Sequence, residues 1–219
     1  MGKIHLTNRE QKIILDAVKS NDFMFQNFYF TGGTALSSYY LNHRYSEDLD
    51  FFTTEKFDQQ IVFELVERWG KQHNFAIQTA RFVEVVYIFN LIFKNGEALK
   101  VDFVTYAHKQ IEKPQIIEGI AIDSLVDIAV NKLLTISQRT EVKDFVDLYY
   151  LLDKFSIWDL RHGVKMKFNV DIEPLLLGAD LLKAENFDSL PRMIKPLKLS
   201  ELKTFFREKA KEIGAKAVE

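Results

Sequence analysis

Gly32-Gly33-Thr34 and the downstream Asp48-Leu49-Asp50 are the residues of this chain whose types and spacing best fit chemistry. A glycine pair lets backbone amides approach a polyanion that any side chain would hold away. Two aspartates one residue apart on a strand point to the same face. Phosphoryl transfer needs the charge of a nucleoside triphosphate neutralised and the attacking hydroxyl held in line, and hard carboxylate oxygens suit the magnesium ion that does this. Together the two features read as a nucleotide and metal site, with Gly32, Gly33 and Thr34 toward the nucleotide and Asp48 and Asp50 toward Mg2+. Each alone says little, because Gly-Gly is often only a turn and Asp-x-Asp occurs in many loops.

A third acid, Asp102, lies between Val101 and Phe103 in an apolar run. Buried without a partner it would be costly. An outward strand face of Lys100, Asp102, Val104 and Tyr106 explains it as well as a site does. Lys132, Arg139 and Lys143 form a second group. On one continuous helix over 132–143 they would share a stripe, because their separations nearly close whole turns, and three cations on a stripe suit a triphosphate. The alternative is that Gln138-Arg139-Thr140 breaks the helix and the lysines line a wet face. Asp147 reads as structural, paired with Arg139 or Lys143, and Arg44 as a partner of Glu47 or of the acid cluster. Ser46 reads as a cap or hydrogen-bonding group near Asp48. His43 reads as a polar surface or capping residue. Neither it nor His5, His73, His108 or His162 has ligand spacing to another histidine, which argues against zinc.

The elements that must position these groups follow from the pattern. Thr7-Asn8-Arg9-Glu10 has capping-box spacing and predicts a helix over about 8–20. Residues 28–30 read as a buried strand ending at the glycines, 34–41 as a helix offering its N-terminus to an anion, 48–52 as a strand and 58–72 as a helix. Residues 81–93 and 99–106 read as strands joined by Asn95-Gly96, a strong hairpin signal. Asp123 is expected to cap a helix reaching Ser137, and a further helix runs over 141–152. Asp171-Ile172-Glu173-Pro174 and Lys195-Pro196 break the remaining helical stretch. The fold class is therefore α+β, a mixed sheet with helices over residues 1–122 followed by a helical half over 123–219.

With 219 residues, 47% of them hydrophobic, the chain can bury a sizeable core. The absence of cysteine excludes disulfides, thiolate zinc sites and a cysteine nucleophile. No apolar run reaches a membrane span of roughly 20 residues, and no basic, then hydrophobic, leader stands at the N-terminus, so a cytoplasmic protein with no membrane partner is expected. A net charge of -2 is not that of a polycation coating nucleic acid. From Lys195 onward seven basic side chains meet four acidic ones, including Glu219, which is either a local basic surface or a solvated helix face.

The order of strand, Gly32-Gly33-Thr34, helix and Asp48-x-Asp50 resembles the signature of the DNA polymerase beta-like nucleotidyltransferases. Gly32-Gly33-Thr34-Ala35-Leu36, Tyr40-Leu41, His43-Arg44, Ser46, Asp48-Leu49-Asp50-Phe51-Phe52 and Lys143-Asp144-Phe145-Val146-Asp147-Leu148 resemble, more closely, the AbiEii/AbiGii toxin family of bacterial nucleotidyltransferases. The resemblance implies a nucleotidyltransferase fold over 1–122 and a helical domain over 123–219 that contributes Lys132 and Asp144 to the site. It implies Asp102 as third metal carboxylate with Asp48 and Asp50, orienting or deprotonating the incoming hydroxyl, Lys132 as the lysine near the phosphates and Asp144 as the acid of the Lys-Asp motif. The expected activity is Mg2+-dependent transfer of a nucleotide from an NTP to an acceptor, RNA at the tRNA 3′ end, as the toxin of a toxin-antitoxin or abortive-infection pair with a cognate antitoxin. An aminoglycoside-type small-molecule adenylyltransferase and a catalytically inactive nucleotide-binding protein of the same fold are the alternatives.

Overall fold

Helix α1 (Arg9–Lys19) starts where Asn8, in extended conformation, accepts the Gln11 N–H while the Gln11 side chain accepts the Asn8 N–H. The capping box is thus one residue later than the Thr7/Glu10 spacing implies. Gln11 is held there because its amide also donates to the Ser46 and Glu47 carbonyls, each at 2.9 Å. In this computed structural model residues 7–218 are described, with side chains to Lys216; the readings on the N-terminal leader, His5 and Glu219 fall outside them. The chain folds as two compact units. The first holds the described residues to Tyr40, Ser46–Lys109 and Lys113–Ser124, and the second Leu41–Tyr45, Gln110–Glu112 and the chain from Leu125.

The first unit is built on a sheet. After α2 (Asp22–Asn27) comes β1 (Tyr29–Thr31), then a single helical turn, α3 (Gly32–Ala35), continuing into a wider turn over Leu36–Leu41, then β2 (Leu49–Thr53) and α4 (Gln59–His73). Strands β3 (Phe75–Val83), β4 (Val86–Phe93), β5 (Ala98–Thr105), β6 (Gln115–Ile117) and β7 (Ile120–Ile122) complete the mixed seven-stranded sheet, in the order β3-β4-β5-β2-β1-β7-β6. The pairs β2/β5 and β1/β7 are parallel and the others antiparallel. The reading of 81–93 as one strand misses a hairpin at Glu84, which takes φ +56; a glutamate carries no signal for that turn, whereas Gly96 at φ +85 does.

Burial in β2 alternates. Leu49, Phe51 and Thr53 are buried while Asp50 and Phe52 are half-buried, which fixes one face as core and the other as acid-bearing. Phe51 stacks on Phe103 of β5 with ring centroids 5.6 Å apart, and Phe28, Phe30 and Phe89 close around them. Of the face expected to be outward, strand β5 exposes the Lys100 side chain but not Asp102 or Val104. Asp102 is 8% and Val104 7% exposed, because β4 and β2 flank β5 on either side and make it an interior strand.

The second unit is helical: α5 (Leu125–Gln138), α6 (Val142–Leu151), α7 (Ile157–Phe168), α8 (Pro174–Leu182) and α9 (Leu199–Val218), with a 3-10 turn over Lys183–Asn186. No continuous helix joins Lys132 to Lys143, since residues 139–141 leave the helix and Glu141 caps α6 in extended conformation. The fully buried Asp127 bonds Lys167 at 2.5 Å and accepts the N–H groups of Ile111 and Glu112 at 2.9 Å, binding α5, α7 and residues 110–112 together. On α9 the cations Arg207, Lys209, Lys211 and Lys216 pair with Glu185, Glu212, Glu208 and Glu212, as a solvated helix face does. No helix among the described residues is long and apolar enough to cross a membrane. Phe103 is fully buried among Phe28, Phe51 and Phe89. Phe103→Ala is expected to lower stability by about 3–5 kcal/mol, read from the urea unfolding midpoint at unchanged m-value.

Candidate active site

The acid face of the first unit is set by strand register. Asp50 of β2 stands opposite Asp102 of the parallel β5, and Thr31 of β1 stands opposite Asp50 on the other side. Adjacent strands lie roughly 4.8 Å apart, so the two carboxylates leave the same face of the sheet as neighbours. Gly32 follows Thr31 at φ +74, in the left-handed region, and a Cβ built there would fall on the Asp50 carboxylate. Glycine is therefore required twice, by its backbone and by the acid over it. The Thr34 hydroxyl donates to the Asp48 carbonyl at 2.5 Å and ties the turn to the start of β2. Thr31 donates to Asp123 at 2.7 Å, and the Asp123 N–H bonds the Phe30 carbonyl. Asp123, read as a helix cap, is fully buried; its other carboxylate oxygen accepts the Ser124 N–H just ahead of α5.

Asp102 is the unusual member. Its Oδ2 is paired with the ammonium of Lys100, and its Oδ1 is buried with no hydrogen-bond partner among the described residues. Burial pushes the Asp102 carboxyl up from its ordinary value, Lys100 pulls it back in part, and the charge of Asp48 adds to the rise. Burial works against the Lys100 ammonium, but Asp102, Asp48 and Asp50 outweigh it and raise Lys100 overall. Among the described residues no three acidic, histidine or cysteine side chains meet closely enough to hold a metal by themselves. The donor set still fits a hard divalent cation, which takes one or two protein carboxylates and completes its shell with water and phosphate oxygens. Asp50 and the orphaned Oδ1 of Asp102, side by side in register, or Asp48 in place of one of them, are the carboxylates from which one or two would hold it. Lys100 was not foreseen as part of this group, although the period-two rule of a strand puts it on the face of Asp102.

The second unit collects a different network. Asp147, fully buried, accepts from Arg44 Nε at 2.6 Å and Nη2 at 2.8 Å, bonds His43 Nε2 at 2.7 Å and pairs with Lys132 at 2.6 Å. Asp144 takes Lys132 at 2.7 Å and Arg139 Nε at 2.7 Å. Lys132 and Arg139 thus meet through a shared carboxylate and not along one helix stripe. Arg44 pairs with Asp147 in place of Glu47 or the acid cluster, and Asp147 takes Arg44, His43 and Lys132 where Arg139 or Lys143 was expected. His43 is fully buried, not a surface residue. These partners lie more than 100 residues apart in sequence, so no local pattern could reveal them. Lys132 is 8% exposed, whereas the Arg139 side chain is 52% exposed and Lys143 half-buried.

Burial alone would raise Asp147, but the Lys132 and Arg44 charges with the His43 and Arg44 hydrogen bonds hold it well below the carboxylate range. Asp144 is lowered in the same way by Lys132 and Arg139 against its burial. His43 is lowered by burial, which outweighs its contact with Asp147. An acid whose folded pKa lies below its unfolded value stabilises the fold above the unfolded value, and that stabilisation disappears as pH falls through the folded one. Wild-type stability is therefore expected to decline on acidification below about pH 4. Asp147→Asn should lose about 3–5 kcal/mol at neutral pH, because Arg44 and Lys132 are left as buried uncompensated charges. The variant should also show a shallower acid slope, as measured by denaturant melts across pH 2 to about pH 7.

Comparison with known proteins agrees with this fold. Residues 13–214 match the family model described as Nucleotidyl transferase AbiEii toxin, Type IV TA system. The uncharacterized protein aq_aa25 of Aquifex aeolicus (strain VF5) is 30% identical over 212 residues, 93% of this chain and 96% of its own. Among solved structures, JHP933 from Helicobacter pylori is similar with TM-score 0.56 and 24% identity, over 94% of this chain and 89% of that one. MenT4, a nucleotidyltransferase toxin from Mycobacterium tuberculosis H37Rv, is similar with TM-score 0.57 and 16% identity, over 92% and 82%. At those identities the two structures speak for the fold. With the family model matched across nearly its whole length, the chain belongs to the AbiEii family of nucleotidyltransferase toxins.

Proposed function

We propose that the acid face of the first unit transfers a nucleotide from an NTP to an acceptor hydroxyl with Mg2+ as cation, and that the acceptor is RNA at the tRNA 3′ end. On this reading the protein works in the cytoplasm and is restrained by a cognate antitoxin. The observation that carries the reading is the in-register pair Asp50 and Asp102, with a glycine that only a backbone can occupy beneath one carboxylate and an unpartnered buried oxygen on the other.

Bound magnesium supplies neutralisation of the triphosphate and alignment of the reacting oxygens. Gly32 and Gly33 leave backbone amides uncovered for phosphate oxygens, and Thr34 fixes the backbone of Asp48. Asp50 and Asp48 present hard oxygens. Asp102 would hold the cation through Oδ1 and orient or deprotonate the acceptor hydroxyl, whose oxygen bonds the α-phosphorus as pyrophosphate leaves. In the second unit Lys132, Arg139 and Lys143 are assigned to triphosphate oxygens. Arg139 is the member whose side chain is about half exposed, and Asp144, shared with Lys132, holds it in place. The tRNA acceptor rests on the family, since Arg207, Lys209 and Lys211 of α9 are paired with glutamates.

Incubation of the purified protein with each α-labelled NTP, Mg2+ and pools of RNA, protein or aminoglycosides tests the reading. Label is expected on RNA 3′ ends in the wild type and absent in Asp50→Asn, whose unfolding free energy should stay within about 1 kcal/mol of wild type because a charge and no packing is lost. Label on the antibiotic pool would favour the small-molecule adenylyltransferase, and no label on any pool the inactive nucleotide-binding form. A second measurement is bacterial growth: expression of the wild type alone should slow division and Asp50→Asn should restore it. Slowing that persists in Asp50→Asn would replace catalysis by sequestration.

A further inference from the structure

We infer that Lys100 is the resident counter-ion of the acid face, holding Asp102 through Oδ2 until a divalent cation displaces it. The inference rests on the metal-dependent reading above and adds a residue to it. Lys100 precedes Asp102 by two positions on β5, so both side chains leave the same face. Its ammonium takes one oxygen of Asp102, and the other, Oδ1, stays buried and unpartnered, so the carboxylate is half engaged.

Among the described residues the Lys100 ammonium has Asp102 as its hydrogen-bond partner. Its cross-strand neighbour on β4 is Asn90, a neutral residue whose amide already donates to the Thr79 hydroxyl at 2.7 Å. The Lys100 side chain is 37% exposed, so the ammonium can leave for solvent on a flexible stem without repacking the sheet. Asp48 and Asp50 add their attraction to that of Asp102. The lysine thus lies in the combined field of three carboxylates, as a divalent cation at the same face would. A monovalent ammonium and a dication beside it repel. The cation therefore binds against Lys100, and its affinity in the absence of nucleotide is held down. When Lys100 leaves Asp102 it becomes a free cation beside the site, placed to meet an incoming phosphate.

Binding of Mn2+, a hard oxygen-seeking probe, measured by electron paramagnetic resonance at pH 8 and fixed ionic strength without nucleotide, reads this directly. Wild type should bind one ion weakly, and Asp50→Asn should lose it. Lys100→Met should bind at least about tenfold more tightly, equivalent to about 1.4 kcal/mol. Lys100→Arg, which keeps the charge, should stay near wild type. Circular dichroism and urea melts of each variant establish that it is folded, and Lys100→Gln replaces Lys100→Met if the latter is not. Affinity that is unchanged or weaker in the folded neutral variants would overturn the inference and make Lys100 a residue that merely orients Asp102. Binding that survives Asp50→Asn, or no binding in any variant, would overturn the metal reading itself and this inference with it.

Discussion

Two carboxylates on adjacent parallel strands repel each other, and the first unit holds Asp50 and Asp102 side by side all the same. What compels it is the apolar side of the same register. Phe51 and Phe103 are also opposite one another, fully buried and stacked, and a slip of one residue would turn these rings outward and the acids into the core. The acid pair is therefore a by-product of core packing that cannot relax away without unmaking the sheet. Much of the local structure answers to that repulsion. Lys100 neutralises one oxygen, Asp50 stays partly open to solvent, and Gly32 yields the space its side chain would fill.

The second unit handles charge in the opposite manner. Arg44, Lys132 and Arg139 surround Asp144 and Asp147 with charge-assisted hydrogen bonds, and both carboxylates are driven down into full ionisation. A buried polar network is tolerable when nearly every group is satisfied, and it then dictates a single arrangement of the elements that supply it. Here it binds α5, α6 and residues 41–45 to one another. The Arg44 backbone extends the same fixture by a bridge to Met193, and the His43 carbonyl accepts from Ile194 and Lys195. One cluster thus sets three carboxylates near the Lys100 ammonium with an orphaned carboxylate oxygen on Asp102; the other closes three cations around two carboxylates and leaves only His43 Nδ1 without a hydrogen-bond partner among the described residues of that network. The incomplete one is where a ligand has something to gain.

Much of the fold was legible in sequence because its signals are local. Helix α4 runs over Gln59–His73 against the expected 58–72, Asn95-Gly96 made its hairpin, and the apolar residues before the glycines and around the acids announced β1 and β2. The errors were also local. Two residue pairs offered the same capping spacing, and only the reach of Gln11 to the Ser46 and Glu47 carbonyls chose between them. The turn at Glu84 left no mark because that residue type has no preference for a positive φ.

For the site, the sequence by itself determined which groups are present and which share a face along one strand: the glycine pair, Asp48 with Asp50, and Lys100 with Asp102. Period-two geometry needs no other part of the chain. Tertiary structure alone decided that β5 lies beside β2 and not at an edge, hence that Asp50 meets Asp102, and that Arg44 and His43 close on Asp147 rather than on the nearer acids. Those pairings join residues dozens to a hundred positions apart. They are fixed by strand order and helix packing, in which each side chain's nearest charge is set by the whole core and not by its neighbours in sequence.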